Sequence, residues 1–193
     1  MTVIGGIVLS ASFVLANVTP GEKEVLKVDA EKSMVYWTGK KVSGEHTGTL
    51  KIKEGTVAVE NGMPTAAKID MDMNSIDCSD LEGEWKDKLI GHLKSEDFFS
   101  AEKYPVATFE VTSFTKVAGK YTVTGKLSIK GITHEISFPA DVALVSGALT
   151  ASGTATIDRT QWNIRYGSGK FFEGLGDKMI YDDFEIKFEL TAR

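Results

Sequence analysis

The sequence predicts an all-β protein: an antiparallel sheet closed into a barrel of about eight strands, with one inserted helix and a hollow interior. Two observations predict it. Between residues 120 and 192, apolar or small residues alternate with polar ones through four successive segments. That period belongs to strands with one face in a core and one in water. The apolar rows also mix large side chains with Gly125, Ala140, Ala151, Gly153 and Ala155. Such small residues fill little volume, so a closed barrel built from them leaves a hollow for one apolar ligand.

The four rows run Tyr121, Val123, Gly125, Leu127, Ile129; His134, Ile136, Phe138, Ala140, Val142; Leu149, Ala151, Gly153, Ala155, Ile157; and Phe184, Ile186, Phe188, Leu190. Upstream, strand-like segments are expected over residues 34–41, 48–53, 56–59, 66–73 and 106–115. Turn residues separate the strands at Glu54-Gly55, Asn61-Gly62, Ala118-Gly119, Lys130-Gly131 and Ser146-Gly147. Short loops of this kind favour an up-and-down meander over a Greek key.

One helix interrupts the strands. Ser79 and Glu82 have the spacing of a capping box, and Leu81, Trp85, Leu89 and Leu93 then recur every four residues on one face. A short helical turn is expected over residues 95–99, closed by Tyr104-Pro105. This insertion serves either as a lid on one barrel end or as a buttress outside it. Residues 159–181 hold Trp162, Tyr166, Phe171, Phe172 and several glycines with no regular period. An apolar loop in water needs something apolar to cover, either a pocket mouth or ordinary core.

A chain of 193 residues is read as one domain with a substantial core. Its formal charge of -5, with lysines interleaved among acids, shows no basic stripe and argues against nucleic acid. Residues 3–16 carry no charge and match the apolar core of a signal peptide, being shorter than the roughly 20 residues of a membrane span. Residues 1–16 are therefore expected to be an export leader, although no Lys or Arg precedes the run, and a buried first element is the alternative. No cysteine follows it, so no lipid anchor is expected. Residues 17–25 read as a linker and 26–193 as the folded domain. The single Cys78 lies beside acids and reads as an inert thiol.

Several segments together resemble the YceI-like family of exported, lipocalin-like proteins. They are His46-Thr47-Gly48, Asn74-Ser75-Ile76-Asp77, Asp87-Lys88-Leu89 and the run from Leu93 to Phe99. Residues 104–109, 125–133 and 155–159 complete the set, and the resemblance covers roughly residues 26–192. It implies an extended eight-stranded lipocalin-like barrel whose lumen binds a long isoprenoid or similar lipid, and export to the periplasm. His46 matches a recurrent His-x-Gly of that family and is a candidate for a ligand head group.

The expected lumen residues come from the inner rows. They are Trp37, Met71, Met73 and Phe109 upstream, then Val123, Leu127, Ile136 and Phe138. Ala151, Gly153, Trp162, Phe172, Phe184 and Phe188 complete the wall, with His46 at its edge. His92 is expected on the helix surface and His134 at a barrel rim. The three histidines show no metal-ligand spacing, and no Gly-x-Ser-x-Gly or Gly-rich phosphate loop occurs. No cofactor, metal or catalytic residue is therefore expected. The expected partner is a long-chain isoprenoid or other lipid, without nucleic acid or a stable membrane anchor; a homodimer stays open. Two rivals remain: a structural or stress-related interaction protein with a filled barrel, and a hydrolase with a polar cluster inside it.

Overall fold

The computed structural model describes residues 23–193. The leader expected over residues 1–16 and the linker up to residue 22 lie outside the described residues. The last part of that expected linker is instead a strand, β1 (Lys23–Lys27). It is ordered because Leu26 inserts into a small apolar cluster with Val57, Val59, Leu149 and Ala192.

The remaining elements are β2 (Met34–Lys41), β3 (Gly44–Leu50), β4 (Ile52–Glu60), β5 (Met63–Asp72), β6 (Asp77–Cys78) and α1 (Gly83–Lys94). They continue with β7 (Val106–Val117), β8 (Lys120–Ile129), β9 (Ile132–Val145), β10 (Ala148–Asp158) and β11 (Ile180–Ala192). The strands form one sheet in the order β1-β4-β5-β7-β8-β9-β10-β11-β2-β3-β6, and every pairing is antiparallel. Among the described residues, eleven strands thus stand where eight were expected. The excess has local causes: Lys51 alone separates β3 from β4, and β1 and β6 are short strands at the two ends of the order.

The sheet curls into a barrel-like wall. At one end the backbones of Lys27 and Arg193 exchange two hydrogen bonds of 2.9 Å, and Val28 bridges to Ala192. The start of the sheet thereby meets the end of β11. From β7 to β11 the order is a plain meander, as the short loops imply. Asn61-Gly62, Ala118-Gly119, Lys130-Gly131 and Ser146-Gly147 all hold positive φ at both central positions, the hairpin geometry whose twist matches the flanking strands. Glu54-Gly55 is no turn. It lies inside β4, beside a register shift against β5 that absorbs one residue.

The two barrel ends differ. Two-residue turns join β4 to β5, β7 to β8 and β9 to β10 at one end. The opposite end carries both long excursions, residues 73–105 with α1 and residues 159–179. The expected capping box does not form there. The helix starts at Gly83 with Glu82 as its N-cap and no side-chain cap bond. Nor is the Leu81–Leu93 row a packed face: no residue of α1 is fully buried, and Trp85 is 71% exposed. The helix is held at its start by Lys86 on Asp77 (2.8 Å), and its end leans over the barrel through Leu93.

Candidate functional site: an apolar lumen

The inward rows enclose a cavity of about 240 Å³. Strand alternation put Trp37, Met71, Met73 and Phe109 on its wall, and the structure places all four there. Val123, Leu127, Ile136, Phe138, Ala151, Phe184 and Phe188 also line it. Apart from a few residues at one rim, the wall is hydrocarbon. Val35, Leu50, Ile52, Ile69 and Val111 join it from the upstream strands. Val35 and Ile69 share faces with Trp37 and Met71, so the same period-two rule identifies them.

Four expected residues lie elsewhere. Trp162 is 1% exposed, donates its indole N–H to the Leu127 carbonyl at 3.1 Å and stacks edge-on with His134. It packs against β8 and β9 at the end that carries the two excursions and does not line the lumen. Phe172 is 51% exposed and does not reach the cavity. His46 points its Nδ1 at the Asp80 carboxylate, 2.8 Å away, so its ring fastens the segment before α1 and does not face the lumen. Gly153 contributes no open volume. A Cβ built there meets the Phe188 ring at 3.0 Å and the Pro139 carbonyl at 2.8 Å, because the ring of the paired strand already occupies the space that the missing side chain leaves.

Sequence alternation missed Leu93, in the last turn of α1, and Phe98 and Phe99 just after it, which reach the cavity. No period marks Phe98 and Phe99. They arrive because Ser100 and Ala101 turn the chain back onto the helix end, their backbone N–H groups donating hydrogen bonds to the Ser95 and Lys94 carbonyls.

The polar wall residues gather at one place. Lys40, Arg159, Tyr181 and Asp183 line the cavity beside Gly39 and Ile180, and Lys40, Tyr181 and Asp183 are exposed. Here the β2–β11 pairing slips: Ile180 faces Lys41 and Phe184 faces Gly39, so three residues of β11 oppose Lys40 alone. A bulge disrupts the ladder locally, and the exposed residues that line the cavity here mark this rim as the lumen's opening to solvent.

Arg159 fixes the rim. The residue is 4% exposed, and its guanidinium donates to the carbonyls of Ile164 (2.8 Å), Tyr181 (3.1 Å) and Ile180 (3.1 Å). Asp182 lies 3.7 Å away and also pairs with Lys170 at 3.3 Å. Burial lowers the Arg159 pKa from its ordinary value, but a guanidinium stays charged throughout the physiological range. Asp158 is pushed up by burial, but hydrogen bonds from Thr160 and Lys170 outweigh this and leave it below the ordinary carboxylate value.

A second clasp holds the segment before α1. The Asp80 carboxylate accepts from the Thr47 amide (2.8 Å), His46 and the Cys78 thiol (3.3 Å). Burial alone raises its pKa; the amide bond and the His46 and Cys78 contacts more than reverse that and bring it to about 2. Burial pushes the Cys78 thiol up, in keeping with an inert cysteine. His134 donates its Nε2–H to the Gln161 carbonyl at 3.0 Å. His92 packs its ring on Tyr166 and Phe98.

Comparison with known proteins agrees with this architecture. The chain is 36% identical to Protein YceI of Escherichia coli O157:H7 over 95 residues, and 34% identical to UPF0312 protein plu2095 of Photorhabdus laumondii over 97 residues. These alignments take in 48% and 49% of this chain, and the chain spans about half the length of either relative, 47%. Among solved structures, Burkholderia cenocepacia BcnA superposes with a TM-score of 0.70 at 28% identity, over 86% of this chain and 99% of that one. A polyisoprenoid binding domain from Saccharophagus degradans, implicated in plant cell wall breakdown, gives 0.64 at 16% identity, over 87% and 97%. The Campylobacter jejuni YceI protein gives 0.53 at 18%, over 98% and 91%; the last two likenesses concern the fold. The YceI-like domain model matches residues 26–192, from the Leu26 anchor to the final residue of β11, and the chain belongs to that family.

Proposed function

We propose that this protein binds a long apolar chain, a polyisoprenoid or a related lipid such as a fatty amide, in its lumen, and transports or stores it in the cell envelope. The observation that carries this reading is a hydrocarbon-walled cavity with its polar residues confined to one opening. Moving such a chain out of water is worth roughly 0.8 kcal/mol per buried methylene before ordering costs. Few polar contacts are then needed, which suits a wall that offers almost none. It favours a binder over an enzyme, since the one buried charged group at the rim, Arg159, is spent on holding backbone carbonyls. Membership of the YceI-like family and the likeness to a polyisoprenoid binding domain point the same way. The apolar run at residues 3–16 supports export to the periplasm.

The test is organic extraction of protein purified from an envelope fraction, followed by mass spectrometry and by uptake of a prenyl alcohol into the stripped protein. A co-purifying or stoichiometrically absorbed chain is expected. Protein that carries no lipid and takes up none would show that the cavity is packing space.

A further inference from the structure

One level of the wall alternates phenylalanine with glycine across five neighbouring strands: Phe109 on β7, Gly125 on β8, Phe138 on β9, Gly153 on β10 and Phe188 on β11. The rings form a continuous row. Phe109 and Phe138 lie 5.4 Å apart between centroids, and Phe138 and Phe188 lie 5.6 Å apart in an edge-to-face arrangement. Each glycine accommodates a ring. A Cβ at Gly125 would meet Phe109 ring carbons at 2.8 Å, and one at Gly153 would meet Phe188 ring carbons at 3.0 Å. Glycine in a strand interior weakens the strand and commonly marks a close approach; here the approach is by an aromatic ring of an adjacent strand.

The missing side chains therefore let the rings lie against the wall. With any larger residue at either glycine, the ring must swing into the bore or the strands must part. The lumen continues past this row. Its lining includes Leu93, Phe99 and Phe184 toward the opening, and Val57, Leu149 and Leu190 toward the end where β1 meets β11.

Resting on the reading of the lumen as a lipid site, we propose that this phenylalanine–glycine belt is the gauge of the barrel. It keeps the bore wide enough for one flexible chain to pass from the opening to the far chamber, and so sets the length of chain that the protein accepts. Specificity for chain length then resides in the belt and not in the rim.

The experiment measures affinity for prenyl alcohols of increasing length, from two isoprene units to eight. It uses wild type, Gly153→Ala, Phe138→Trp and Phe188→Ala, each checked for the folded state by circular dichroism. Gly153→Ala places its Cβ against the Pro139 carbonyl as well. Phe138→Trp therefore gives a second way to narrow the bore, one that leaves the glycines alone. Both narrowing variants are expected to lose at least tenfold in affinity for the eight-unit alcohol while keeping the two-unit alcohol within threefold. Phe188→Ala widens the bore and is expected to keep the preference for the long chain over the short one, whatever it loses in overall affinity. In Gly153→Ala with Phe188→Ala, long-chain binding is expected to return, because the displaced ring is gone. Equal losses for short and long chains, or unchanged length preference in both folded narrowing variants, would overturn the gauge while leaving the lipid site intact. A wild type that binds no alcohol of any length would overturn both.

Discussion

The two ends of the barrel are closed by different physics. Where β1 meets β11, Leu26, Val57, Val59, Leu149 and Ala192 are buried among one another, and the neighbouring connections are two-residue turns. Nothing there is long enough to move by itself. At the opening, two excursions bury Phe98, Ala101, Trp162 and Ile164 in the main core and are tied further by polar clasps: Arg159 on three carbonyls of the 164–181 segment, and Asp80 on β3. Hydrocarbon packing is non-directional and spread over many contacts, so the closed end can fail only with the barrel. A clasp of directional bonds can fail alone. The difference makes the clasped segments the part of the opening able to loosen without the barrel.

The largest effect expected is at the Arg159 clasp. Arg159→Met removes every donor to the Ile164, Tyr181 and Ile180 carbonyls and the buried cation beside Asp182. Breaking such a buried pair on one side is destabilising by about 3 kcal/mol. The loss should appear mainly as faster amide exchange across residues 164–181, with the closed end still protected. Uniformly faster exchange through every strand would mean that the opening is not a separate unit.

Leu26→Ala tests the other end. Truncating this buried leucine costs about 2 to 3 kcal/mol through lost transfer and a residual cavity. Here the urea transition should move as a whole, with exchange in β4, β10 and β11 rising together. Loosening confined to β1 would show that the closed end too can be unfastened locally.

The smallest effect is a pH dependence at Asp80. Its folded pKa of about 2 lies below the ordinary carboxylate value, so the deprotonated form is the one that the fold prefers. The clasp therefore contributes fully above about pH 4, and its contribution is lost as pH falls through 2. The Thr47 amide, which donates to this carboxylate, should lose exchange protection over that interval, and Asp80→Asn should remove the pH dependence. Protection that is flat down to pH 2, or already lost above pH 5, would assign the clasp to another group.

Much of the barrel can be read from residue order because the strand period is two and the barrel has one wet face. Phe184, Ile186, Phe188 and Leu190 face the lumen for the same reason that Glu185, Lys187 and Glu189 face water. Four of the turns were equally legible, since Asn61-Gly62 and its counterparts match the positive φ that a two-residue hairpin demands. Trp162 and Phe172 were misplaced on the wall because their loop has no period. Position there depends on where Arg159 ties the chain, a contact across 22 residues to the Tyr181 carbonyl. The helix row of Leu81, Trp85, Leu89 and Leu93 has the spacing of a packed face, yet spacing cannot say whether a partner surface stands opposite.

By itself, then, the sequence determined the all-β class, the inward and outward rows, most hairpins and the family likeness, all of which rest on neighbours along the chain. Only the tertiary structure decided the strand count, the site of the opening and the true use of the inner glycines. Gly153 has the composition of empty space, but it is the seat of a ring 35 residues away on β11. Volume inside a barrel belongs to no single residue. It is what remains after side chains from strands distant in sequence have packed against one another, and that sum exists only once the sheet has curled.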